Sequence, residues 1–405
     1  MLLSILLLVS AILNAQNQQN TGKSSDAKRD EFGSSLKKYE KRNKTPDPGT
    51  KNADKIQNDE EVHIDTDLII ADATVYNQAG NLIAGLKKED FIILEDGVPQ
   101  SIDVFAAGRN DSVDRWILLI IDNSTWFGPN LSAYIEGAKK MVDLLGTRDR
   151  MAIATAEIQL LQDFTDNKVL LKNRLDTLQL AKEHGTGNET DALLAALNEL
   201  LETLQGQKIV IFQADGTQFA WLKPDQETPY PVSFDTLWNN GLRYMTGKKV
   251  IASYGFADLR EAVERSQATI YPVIMGPRLY GASKKDQYEM VKNHMLELNR
   301  FYKWNSESNM PLIINRLLPY RTELMVAGQT GMFRLAELSG GYADYIEKPE
   351  DAMNVYLNIL KVIDNRYLLG YYPKNEKKDG KRRTISIRIK DHPEFILRYR
   401  SHFYY

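Results

Sequence analysis

Asp122-Asn123-Ser124, Thr190 and Asp215-Gly216 are the residues of this 405-residue chain whose types and order could do chemistry. Trp116 to Ile121 is an unbroken apolar run ending at Asp122, as expected of a parallel strand buried on both faces. A second such run, Ile209 to Phe212, ends just before Asp215. Thr190 stands ahead of an amphipathic stretch marked by Leu193, Leu194, Leu197, Leu200, Leu201 and Leu204. In an open parallel sheet, ligands gather outside the carboxyl ends of the strands, near a topological switch point. Two carboxylates and two hydroxyls converging there are hard oxygen donors, suited to Mg2+, Mn2+ or Ca2+ and not to a soft metal. With so few carboxylates in contact, such an ion would keep a positive field and an open position, which a partner's carboxylate could fill.

These residues need a scaffold, and the pattern around them supplies one. Leu131, Tyr134, Ile135, Ala138, Met141, Val142 and Leu145 share a helical face, and Met151 to Ala156 reads as the next strand. Ala257 to Gln267 reads as a helix, Thr269 to Met275 as a strand, and Met332 to Leu338 and Ala352 to Ile363 as closing helices. Such alternation predicts an α/β fold, a doubly wound and mostly parallel sheet covered by helices on both faces. Short β-prone runs punctuated by turn signals flank it: Leu68 to Tyr76 and Phe91 to Leu94 ahead, then Arg366 to Tyr372, Thr384 to Ile389 and Phe395 to Tyr399 behind. Neither set closes a core alone. The expectation is one β-sandwich, residues 62–108 and 366–405, interrupted by an α/β domain over 112–365. Residues 276–326 break the pattern, carrying Tyr288, Phe301, Tyr302 and Trp304 among polar residues, and read as an irregular insertion.

Leu2 to Leu13 is apolar and runs into Asn14-Ala15-Gln16, which reads as a signal peptide over 1–15, too short to span a bilayer as a helix. Residues 16–61 are almost entirely polar and read as a disordered tether. The body is then exported, to the periplasm, the cell surface or the medium, with no transmembrane span beyond the signal. Lys plus Arg, 51, against Asp plus Glu, 54, gives a net charge of -3, without the basic excess that nucleic acid requires. The chain has no cysteine, which removes disulfides, thiolate metal sites and Cys nucleophiles. Its five histidines, 63, 184, 294, 392 and 402, lack metal-ligand spacing, which argues against zinc hydrolases and Ser-His-Asp enzymes. The basic run from Lys374 to Lys390 reads as a solvated hairpin.

The order strand, Asp-x-Ser, helix, strand, Thr before a helix, strand, Asp-Gly resembles the von Willebrand factor A (VWA) domain and its metal-ion-dependent adhesion site. Gly85-Leu86, Asp90-Phe91, Glu95-Asp96-Gly97, Gln100-Ser101-Ile102 and Phe105 ahead of it extend the likeness. Leu338-Ser339-Gly340-Gly341, Tyr367-Leu368-Leu369-Gly370-Tyr371 and Asp379-Gly380-Lys381-Arg382 do so behind it. Together they resemble the bacterial VWFA-related exported proteins known mainly from acidobacterial genomes, over residues 62 to 405. The resemblance implies a Rossmann-like VWA fold and a binding or adhesion role without enzymatic activity. It also implies a site for Mg2+ (or Mn2+ or Ca2+) made by Asp122, Ser124, Thr190 and Asp215, and an unknown protein ligand that supplies a carboxylate.

The family's motif is Asp-x-Ser-x-Ser, and its last position holds Trp126, which has no oxygen to offer. Thr125, one residue early, or a water would have to substitute, with Thr125 and Trp126 forming the rim that meets the partner. Two other readings stay open. One is a metal-independent structural or assembly module in which Trp126 marks a lost site. The other is a Mg2+-dependent phosphohydrolase with Asp122 as nucleophile, although that chemistry wants a second Asp where Ser124 stands. Each residue also has a purely structural use: Ser124 and Thr190 as helix N-caps, Asp122 and Asp215 as acceptors of backbone N–H groups in tight loops, with Gly216 supplying a permissive turn.

Overall fold

The computed structural model describes residues 31–42, 68–109, 113–124, 130–180, 188–230, 251–303 and 309–405. The expected signal peptide, Thr125, Trp126 and Trp304 lie outside the described residues. A short turn, Ser34–Leu36, and α1 (Lys37–Arg42) precede four strands, β1 (Ile69–Tyr76), β2 (Phe91–Glu95), β3 (Val98–Gln100) and β4 (Val104–Ala107). The α/β region follows with β5 (Arg115–Ile121), α2 (Leu131–Asp143), β6 (Asp149–Thr155), β7 (Gln159–Thr165), α3 (Lys168–Asp176) and α4 (Glu189–Ala196). It continues through β8 (Gln207–Ala214), α5 (Phe256–Ser266), β9 (Thr269–Met275), α6 (Lys284–Tyr302), α7 (Met310–Ser339), β10 (Asp344–Ile346) and α8 (Ala352–Ile363). The chain closes with β11 (Tyr367–Tyr371), β12 (Arg382–Ile389), β13 (Ile396–Tyr399) and β14 (His402–Tyr404).

The central sheet has six strands in the order β10-β9-β8-β5-β6-β7, all parallel to their neighbours except β7, which runs antiparallel to β6. Alternate residues of β5 and β8 explain their unbroken apolar runs. Leu118, Ile120, Val210 and Phe212 face a cluster with α4, α5 and α7, while Ile117, Leu119, Ile209 and Ile211 face one with α2, α3 and α8. From β5 the chain moves outward through β6 and β7, then returns to place β8 on the other side of β5. The strand order therefore reverses between β5 and β8, and the carboxyl ends of these two strands bear Asp122 and Asp215.

Two four-stranded antiparallel sheets, β13-β1-β11-β4 and β14-β12-β2-β3, each combine strands from before and after the α/β region. Ile69, Val75, Phe91, Ile93, Tyr367, Leu369, Ile385, Ile387 and Phe403 of both sheets share one apolar cluster. The chain departs along β4 and comes back along β11, and these strands pair, Ala107 opposite Tyr367, with Gly108 N donating to Arg366 O at 2.9 Å. Arg366, 2% exposed, ties the two parts together. Its guanidinium donates to both carboxylate oxygens of Asp72 on β1 (2.9 and 3.0 Å), to the Tyr271 hydroxyl on β9 (3.0 Å) and to the Gly340 carbonyl after α7 (2.9 Å).

Two expectations change. Much of 276–326 is regular among the described residues: α6 and the first half of α7 lie in it, and α7 is a single 30-residue helix. Pro319 inside α7 removes a backbone donor and reads as a break in the sequence, but Tyr320 and Leu324, packed against Ala220 and Trp221, carry the helix past it. Within the expected tether, residues 31–42 are docked on the α/β region. Phe32 and Tyr39, 8% and 4% exposed, enter the cluster around α4, and Glu199 accepts from Gly33 N and Ser35 N at 2.9 and 2.7 Å. One aromatic in a helix of six residues, and another in the turn before it, leave no periodic signal to read.

Candidate functional site

Asp122 extends the β5–β8 ladder by one step, its N–H donating to Gln213 O at 2.9 Å. The side chain, 2% exposed, then turns back so that Oδ1 accepts from Ser124 N at 2.8 Å. The Ser124 hydroxyl also donates to this carboxyl. Across the switch point, Asp215 Oδ1 accepts from both the N–H and the hydroxyl of Thr217 at 2.8 Å, and Gly216 takes a left-handed φ of 75°. That loop is pressed by α7. A Cβ on Gly328 would sit 2.5 Å from Gly216 O, so two glycines permit the contact. The same packing sets Arg321, two turns earlier on α7, beside Asp215, where its charge pulls against the rise that burial imposes on that carboxyl.

Thr190 is fully buried in the first turn of α4. Its N–H donates to Gln218 Oε1 at 2.5 Å, which links α4 to the Asp215 loop. Its hydroxyl lies 2.9 Å from the Tyr254 hydroxyl, which in turn donates to Asp191 Oδ1 at 2.7 Å. The phenol has one proton and gives it to Asp191, so Thr190 donates to the phenol oxygen and keeps its own lone pairs available. Gln218 Nε2 donates to Asp191 Oδ2 at 3.0 Å and completes the network, while the ring of Tyr39 from the docked segment lies 5.6 Å from that of Tyr254. Glu189, 1% exposed, accepts from Gln218 N at 2.8 Å.

The electrostatics follow from three carboxyl groups sharing a dry site. Burial, then the charge of Asp215, pushes Asp122 up to about 7. Burial, then Asp215 and Asp122, holds Glu189 well above the usual carboxylate range, and burial raises Asp215 as well. Among the described residues, no group of three or more acidic or imidazole side chains is arranged to hold a metal by itself. A cation here would rest on two carboxylates and two hydroxyls, and the donor set fits that use. Ser124 and Thr190 give their protons to Asp122 and to the Tyr254 oxygen, which leaves their lone pairs open, and burial and mutual repulsion disfavour ionising all three carboxyls together.

All four expected site residues, Asp122, Ser124, Thr190 and Asp215, are therefore at this end of the sheet. The N-cap reading of Thr190 does not hold, because Thr190 already lies inside α4, which Asn188 precedes; the residues that follow Ser124 lie outside the described residues. The loop reading of Asp122 and Asp215 matches their backbone contacts. Sequence reasoning missed Glu189, Asp191, Gln218, Tyr254 and Arg321. The run Asn188-Glu189-Thr190-Asp191 does carry a signal, two acids flanking the hydroxyl, but acids are ordinary at a helix N-terminus. Tyr254 and Arg321 arrive from distant segments and carry none.

No protein-family model matches the chain, and no curated protein matches it. Among solved structures, proximal thread matrix protein 1 from the mussel byssus is 13% identical with a TM-score of 0.35, covering 66% of this chain. This chain spans about half, 49%, of that protein's length. The same protein has also been solved with a zinc-occupied MIDAS motif. The vWF domain of the type V pili tip protein Mfa5 from Porphyromonas gingivalis is 11% identical, covers 64% of this chain and 96% of its own, and has a TM-score of 0.33. An aerotolerance-related membrane protein from Bacteroides fragilis is 11% identical, covers 62% of this chain and 98% of its own, and has a TM-score of 0.34. Among the described residues, no helix is long and apolar enough to cross a membrane.

Proposed function

We propose that this chain is an exported bacterial binding protein of VWFA-related type, whose α/β domain engages a protein partner at the carboxyl end of its sheet. Asp122, Ser124, Thr190 and Asp215 would hold a divalent cation, Mg2+ first and Mn2+ or Ca2+ as alternatives. The partner would add a carboxylate to it. One observation carries this reading: buried carboxyls that repel one another face hydroxyls whose protons are committed to other groups. A cation supplies the positive charge that lets Asp122 and Asp215 ionise together. In this reading the two antiparallel sheets form a sandwich that carries the α/β domain, and Trp126 replaces one oxygen of the usual site. The role is binding, not catalysis.

Calorimetric titration of Mg2+ and Mn2+ into the chain tests it, with Asp122→Ala as control. Saturable heat that disappears in the variant is the expected result; no heat in either protein sinks the cation. A second reading then takes over, a metal-independent assembly module, which the placement of Arg321 beside Asp215 favours because a resident guanidinium already offsets part of the negative charge. Under that reading the melting temperature stays constant across added Mg2+, Mn2+ and Ca2+.

A further inference from the structure

Residues 31–42 dock on the α/β region through a small set of groups. Phe32 and Tyr39 are buried, and Leu36 packs beside them. Gly33 lies against the turn between β6 and β7, where a Cβ would sit 2.6 Å from Ile158 Cγ2. Lys38 Nζ donates to Asn198 Oδ1 at 3.1 Å, on the helical turn beyond α4 whose Glu199 also holds Gly33 N and Ser35 N. A short segment anchored in this way opens at a lower free energy than the six-stranded sheet beside it.

One of its anchors reaches the site. Tyr254 is 2% exposed, and its hydroxyl is bonded both to Thr190 and to Asp191. The position of its ring therefore sets where the Thr190 hydroxyl is held. That ring packs on Tyr39, with centroids 5.6 Å apart and planes tilted by 59°. Losing Tyr39 would open a gap into which its neighbours relax, as close-packed interiors do when a large side chain goes. We propose that residues 31–42 form a detachable strap and that Tyr39 is its positioning residue. Docked, the strap holds Tyr254 and, through it, Thr190 and the first turn of α4. Released, it loosens that end of the site while the sheet stays folded. The inference rests on the binding role proposed above and does not need the cation.

Amide hydrogen exchange of the full chain in EDTA, read by mass spectrometry, tests it. In Tyr39→Ala, and in Phe32→Ala, which removes the other aromatic anchor, exchange over 31–42 and over 188–197 should be at least about fivefold faster than in the parent chain. Strand β12 should keep the parent's rate in both. Tyr39→Phe retains the ring and should retain the parent's rates throughout. In a Tyr254→Phe chain the hydroxyl link is already cut, so adding Tyr39→Ala should speed 188–197 by less than about twofold. Free exchange of 31–42 in the parent chain, an unchanged 188–197 in Tyr39→Ala, acceleration of β12 along with it, or the full effect persisting in Tyr254→Phe overturns the proposal. Because EDTA is present throughout, failure here leaves the Mg2+ reading standing, and failure of the Mg2+ titration leaves the strap standing.

Discussion

Replacing Asp72 with Ala is expected to destabilise the folded chain by about 3 to 5 kcal/mol, since it strands a buried guanidinium without its counter-ion. Arg366 spends its donors on Asp72, Tyr271, Thr74 and Gly340, and is almost entirely buried. Burial pushes the Asp72 carboxyl up, but the charges of Arg366 and Arg400 and a bond from Gln207 outweigh it, and the group stays ionised below its ordinary range. Asp72→Ala combined with Arg366→Met should recover part of the loss, because the guanidinium that Asp72 holds most closely is gone while buried Arg400, which also draws on the Asp72 charge, remains. Urea unfolding of the parent chain and the two variants checks this. A loss under about 1 kcal/mol for Asp72→Ala would mean that the pair sits in water after all.

The second large effect concerns Asp122, and its sign is opposite. The folded-state pKa of Asp122 is about 7 against 3.8 for the free side chain, so between these values the folded chain binds more protons than the unfolded one. Stability from this group is therefore full at low pH and falls as pH rises towards 7. Glu189 and Asp215, also raised, act in the same sense. His294, lowered to about 4 by burial and then Arg321, and His402, lowered by burial and then Arg382, act in the opposite sense. Comparing Asp122→Asn with the parent chain cancels the histidines. In chelator, the advantage of the variant should be about 2 kcal/mol larger at pH 7.5 than at pH 5.5. Thermal melts at the two pH values measure it, and an advantage that does not change with pH would show that Asp122 ionises normally.

Both predictions depend on residues that differ in how readily they are seen in the sequence. β5 and β8 are legible because a strand buried on two faces has no polar positions, and the acids stand out where those runs stop. The mixed α/β architecture follows from the same alternation. Only the end of α7, Met332 to Leu338, is legible; before it Pro319 and two glycines argue locally for a break, while the contacts that override them, Tyr320 and Leu324 on Trp221 and Gly328 on Gly216, come from the distant segment after β8. The docked Phe32 and Tyr39 hide in a polar segment whose composition reads as solvated. Thr190 is marked in the sequence by its place ahead of an amphipathic stretch, but the Tyr254 hydroxyl bonded to it is not, since a partner 64 positions away has no spacing rule.

The pairing of β4 with β11 has a consequence for how the chain reaches this state. Strand β1 must meet β11, Ile69 opposite Tyr371, roughly 300 residues later, and closing a flexible loop of that size from an unfolded chain is entropically costly and slow. Once the six-stranded sheet and its helices have formed, Gly108 and Arg366 are already held one strand spacing apart. The long loop then behaves as a short hairpin connection. The region between β4 and β11 thus shortens the loop that the two antiparallel sheets have to close.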